Sequence, residues 1–173
     1  MPVQPASARQ ISWSKIRHGI KETITLAAPN ARVHSRWALQ FDLESTIAMI
    51  RNDSDVIHSW MVMVKKPAAD IAKVGGTEYE TMLDFKIWGM MGYDYGDDSS
   101  NSQDAFEDEV DDVIATLRAN SNVKNAFGLT NADGVQAIRE VIIPSEFDLD
   151  VMGFGEGHDV HVAQGILQVR IVR

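Results

Sequence analysis

Cysteine is absent from this chain of 173 residues. Its absence excludes disulfides, thiolate metal sites and cysteine nucleophiles. Long hydrophobic runs are absent too, and none approaches the roughly 18 apolar residues that a membrane-crossing helix needs. The opening residues, MPVQPASARQ, lack the apolar core of a signal peptide. Positive charge is scarce: 16 Lys and Arg stand against 25 Asp and Glu, a net charge of −9. A protein that coats DNA draws its affinity from neutralising phosphate, so this balance argues against tight nucleic-acid binding and leaves passage of DNA open. The expectation is a soluble protein made in a cytoplasm, with no membrane partner. Catalytic signatures are missing as well. There is no G-x-S-x-G elbow, VGGTE lacks the phosphate-loop lysine, and GFGEG is not flanked by a strand-to-helix switch.

What is present reads as an α+β protein. Trp13, Ile16, Ile20, Thr23, Ile24 and Ala27 recur at spacings of three and four, predicting a helix over 12–28. Ser12 caps its start and Pro29 stops it. Gly19 inside it implies a close packing neighbour. Alternation predicts a strand over 33–41, and Leu43, Ile47 and Ile50 predict a short helix over 43–51 capped by Asp42. The run 55–66 is apolar on both faces, so a strand there is covered on both sides. YETMLDFKIWGMMG, 79–92, alternates and pairs with it as a long hairpin. A helix over about 101–119 follows, with Phe106, Val110, Val113, Ile114 and Leu117 as its stripe and a capping box at Ser100 and Gln103. AIREVIIP and the terminal VHVAQGILQVRIVR supply two last strands, with Gly165 marking a bulge or the close approach of another backbone. The expected architecture is one α+β domain over 1–173. Its sheet is mostly antiparallel with two main helices packed on one face, and extended loops lie at about 67–78 and 146–157.

Two features invite a functional reading. Eight acidic residues fall between Asp97 and Asp112, without the spacing of an EF-hand. A solvated helix face is the plain account of them. Apolar residues also sit where a lone molecule would struggle to shelter them: Met61 and Met63 on the second face of a strand, and Phe147, Val151, Met152 and Phe154 in a glycine-rich segment. Together with the loop Val74, Gly75, Gly76 and Thr77 they are the expected interface residues, since methionine suits adaptable contacts. His158 and His161 are three apart, so on a strand they point to opposite faces, which suits a shared metal poorly.

The segments KIRHGIKETITLAAPNARVHSRW, VIHSWMVMV, TMLDFKIWGMMGYDYGDDSSNSQDAFEDEVDDVIATL and VHVAQGILQVRIVR resemble the tail terminator proteins of long-tailed bacteriophages. These tail completion proteins join head to tail in the phage neck. The likeness lies in the order of elements and covers nearly the whole chain, while the loop at 146–157 departs from the family pattern. The resemblance implies a structural virion protein without catalysis or cofactor. It implies a hexameric ring that caps the tail tube, docks to the head connector or stopper, and encloses a channel for DNA. In that setting Asp97, Asp98, Asp104, Glu107, Asp108 and Asp111 are candidate channel-lining residues, repelling phosphate so that DNA slides past. The alternatives are another head–tail connector or adaptor, a small metal-assisted enzyme using His158 and His161, or a monomeric ligand-binding domain.

Overall fold

The computed structural model describes residues 11–36, 42–65, 72–74, 78–92, 99–153 and 159–172. Helix α1 spans Trp13–Ala27, and the Ser12 hydroxyl accepts the Lys15 amide at 3.2 Å, satisfying one of the free donors at a helix start. Ile16, Gly19, Ile20, Thr23 and Ile24 form its buried face. A Cβ at Gly19 would stand 2.8 Å from the Phe127 carbonyl oxygen, so the expected close neighbour is a 3-10 turn at Ala126–Gly128. Phe127 there takes a left-handed φ of 53°, a conformation that costs an ordinary residue about 1–2 kcal/mol. Its amide bonds the Asn120 carbonyl at 2.8 Å, and its ring is buried.

The seven strands form one sheet. Strand β1 is Arg32–His34, β2 His58–Val64, β3 Ala72–Val74, β4 Glu78–Gly92, β5 Ile138–Ile142, β6 Asp148–Gly153 and β7 Asp159–Val172. Two long strands, β4 and β7, pair antiparallel from Glu80↔Val172 to Gly92↔Val160. Each carries two shorter strands end to end on its outer edge: β2 and β3 along β4, β5 and β6 along β7. All these pairings are antiparallel, and β1 closes the far side of β2 in parallel. The terminal run that alternates so strictly is thus central to the sheet.

Helix α3, Ser99–Ala119, lies with α1 on one face, called here the near face. Phe106, Val110, Val113, Ile114 and Leu117 meet Ile16, Ile20 and Ile24 over Trp60, Val62, Leu83, Phe85, Ile87, Leu167, Val169 and Ile171. The α+β arrangement with two main helices on one face is therefore the observed fold. Helix α2, Leu43–Ile50, sits on the far face, where Ile50 joins Ile57, Met61, Trp88, Met90, Val160 and Val162 in a second cluster. The Asp42 carboxylate caps it at 2.7 Å from the Ser45 amide, and that bond holds its acid strength above the ordinary. Arg32 and His34 close its other end, donating to the Ala48, Arg51 and Met49 carbonyls.

Several boundaries differ from expectation. The chain leaves the sheet after His34 and bends at Ser35 and Arg36, while residues 37–41 lie outside the described residues. Strand β2 starts at His58, later than position 55, because Asn52 organises a tight turn in which Asp55 adopts φ 62° and Val56 stays exposed. Gln103 turns its amide to Glu107 at 2.7 Å, and Ser100, expected as the cap, lies within α3. The two segments expected as extended loops carry strands β3 and β6.

Candidate functional site

The acidic helix α3 has two chemically distinct sides. On the inner side, Glu109 accepts the Trp60 indole N–H at 2.8 Å, and the His58 Nε2 lies 2.8 Å from each of its oxygens. Helix spacing explains the placement: Glu109 stands between Phe106 and Val113 on the inward stripe. A carboxylate carried into a core needs such partners, because unpaired burial is costly. Two turns earlier, Ser102 Oγ is 3.0 Å from His161 Nε2, and the His161 ring stacks on Phe106 at 6.0 Å and 28°. Burial lowers the His161 pKa below its ordinary value, while the Glu107 charge pulls it back up. A hydroxyl bonded to an imidazole could serve acyl transfer. Here the adjoining cavity, about 240 Å³, is lined by His161, Phe106, Glu107, Leu149 and Val151 but not by Ser102. Both polar pairs therefore act as clamps of α3 onto β2 and β7.

The outer side of α3 is a stripe of acid. Asp104, Asp108 and Asp111 are exposed at spacings of four and three, while Glu107 is half-buried and bonded by Gln103. Asp97 and Asp98 lie outside the described residues. His158 does too, and among the described residues no group of three or more His, Asp or Glu is placed to hold a metal ion.

The expected interface residues separate into three groups. Met61 is fully buried in the far-face cluster and Met63 packs half-buried against it, because α2 folds over the strand's second apolar face. Phe147 is buried as well. Its ring lies over Gly165, where a Cβ would approach to 2.5 Å, and beside Trp60 at 6.2 Å. Gly165 thus makes room for an aromatic ring, not for another backbone. Gly89 does the same for Trp60. Met61 and Phe147 are therefore covered by the chain itself and not by a partner as expected, while Met63 is only half-covered. Val74 pairs with Glu78 at the tip of β3, while Gly75, Gly76, Thr77 and Phe154 lie outside the described residues. Val151 and Met152 remain exposed, at 50% and 37%.

Those last two belong to β6, an edge strand with all six residues exposed. Register assigns its faces. Leu149 and Val151 pair with Ala163 and His161 and share the near face, and Asp148 and Asp150 pair with Gln164 and Val162 and share the far face. Natural edges are usually short or blunted by lysine or proline. This one has neither residue and offers apolar side chains between carboxylates.

No protein-family model matches this chain. No curated protein matches it either. Among the described residues, no helix is long and apolar enough to cross a membrane.

Proposed function

We propose that this chain is a structural virion protein of a phage neck: a tail terminator whose copies form a ring that caps the tail tube, joins it to the head connector and surrounds the passing DNA. The observation that carries the reading is β6, an exposed sheet edge with Leu149, Val151 and Met152 all at least 37% exposed. An exposed edge strand that carries large apolar side chains fits a surface that meets another protein. The order of elements supports the same reading, with a helix, a hairpin built on a long strand, an acidic helix and a long closing strand. So does the outer acid of α3. Asp104, Asp108 and Asp111 on one exposed stripe suit a wall along which a polyanion slides without sticking.

A heterologous contact repeated by rotation closes into a ring. Six chains of 19.2 kDa give a particle of about 115 kDa. Native mass spectrometry of the purified protein, followed by negative-stain imaging with and without tail tubes, tests the reading. A ring of that mass seated on tube ends is the expected result. A 19.2 kDa species that never associates, alone or with tubes, would overturn it.

A further inference from the structure

Among the described residues the sheet ends on strands of opposite chemistry at its two sides. At one end β6 presents Asp148 and Asp150 on the far face and Leu149 and Val151 on the near face. At the other end β1 presents Arg32 and His34 on the far face, since they pair with Ser59 and Met61 and reach the α2 carbonyls. Its Val33 packs on the near-face core. Arg36, just beyond β1, is exposed. The Asp148 and Asp150 carboxylates of one edge therefore match the Arg32 guanidinium of the other, and apolar matches apolar, on the same sides of the sheet.

Direction matches as well. Strand β1 runs parallel to β2, and each step from β2 through β4 and β7 to β6 reverses the chain. That makes β6 antiparallel to β1. Copies related by rotation about an axis along the strands keep every near face on the same side. Such a rotation brings β6 of one copy beside β1 of the next as an antiparallel pair. The symmetric alternative, β6 against β6 about a two-fold axis, brings Asp148 and Asp150 against their own equivalents, and like charges directly opposite are destabilising. The charge pattern opposes a closed dimer and favours a head-to-tail series.

We propose that a second copy of this chain occupies the β6 edge, its β1 strand extending the sheet from one subunit into the next. The occupant is recognised by main-chain ladder bonds, by the Arg32 guanidinium opposite Asp150, and by Val33 opposite Leu149. This rests on the self-assembly reading above and names the seam through which it happens.

The chain's lack of cysteine makes the test clean. Two double variants carry one cysteine on each edge, both in the register that sets Arg32 opposite Asp150: V33C with L149C on the near face, and R32C with D150C on the far face. Oxidation should link each double variant into a covalent ladder reaching the full oligomer, and none of the four single variants should form a ladder. A charge reversal, D148K with D150K, should raise the concentration needed for assembly by about tenfold or more with the far-UV circular dichroism unchanged, because both side chains are exposed. If the wild type assembles but neither pair cross-links and the charge reversal has no effect, the seam is wrong and self-assembly stands. An L149C or D150C single variant that forms covalent dimers would replace the head-to-tail seam with the symmetric one. A wild type that stays monomeric at every concentration and on tail tubes removes both.

Discussion

Phe147 and Val151 are four residues apart and meet opposite fates. Phe147 is 5% exposed and fills the space above Gly165, while Val151 is 50% exposed on an edge strand. Both are apolar and both precede the same glycine-rich stretch of sequence. The difference is what stands across from each. Gly89, Ala163 and Gly165 form a patch of small residues at the centre of the near face, and Trp60, Phe106 and Phe147 fill it with rings 6.2–6.3 Å apart. Val151 pairs with His161, whose ring is already covered by Phe106, and it borders an open cavity shared with Gln103 and Glu107 of α3. The protein's interior and its sticky edge are adjacent parts of one hairpin.

The largest expected effect tests the interior half of that contrast. Phe147→Ala should cost about 3–5 kcal/mol in urea unfolding, whereas Val151→Ala should stay within about 0.5 kcal/mol. Equal losses would erase the distinction. Next, Gly165→Val should overpack the ring above it and cost about 1–3 kcal/mol. Combined with Phe147→Leu, which clears that space, the loss should be less than additive, as a double-mutant cycle would read out.

The same comparison applies across α3. Glu109→Ala should cost about 1–3 kcal/mol, because His58 and the Trp60 indole lose their acceptor. Asp108→Ala, one residue away and exposed, should be neutral in unfolding.

The smallest effect is a pH dependence. Burial lowers the pKa of His161 and of His34, so the unfolded chain holds more protons than the native one just below the ordinary value of 6.5. Their contribution to stability is fully present above 6.5 and is lost as the pH falls through the lowered native values. Urea midpoints at pH 7.5 and 5.5 should show the lower stability at 5.5. His161→Gln should shrink the difference.

Local pattern made much of the fold legible. The α1 stripe, the Ser12 and Asp42 caps, the double-faced β2 and the alternation of β4 and β7 all follow from spacing, and so did the need for a neighbour at Gly19. The site was legible only in part. Asp104, Asp108 and Asp111 share a stripe by helical arithmetic alone. Glu109 looks like the acids around it, and the only signal of its inward aim is its position between Phe106 and Val113. Strand β6 was hidden because D-L-D-V-M-G holds too few apolar residues and a glycine, and its pairing comes from β7, whose partners range from Asp159 opposite Gly153 to Gln164 opposite Asp148.

By itself, then, the order of residues determined which segments become helix or strand and which side chains share a face, because those depend on neighbours within a turn or two. It determined the excess of acid and the absence of cysteine chemistry as well. Only the tertiary structure decided that Met61 and Phe147 are covered while Leu149 and Val151 are not, and that acid and base stand at opposite sheet edges. Burial depends on what a distant strand or helix lays over a side chain, and that is set by register and packing between segments far apart in the chain.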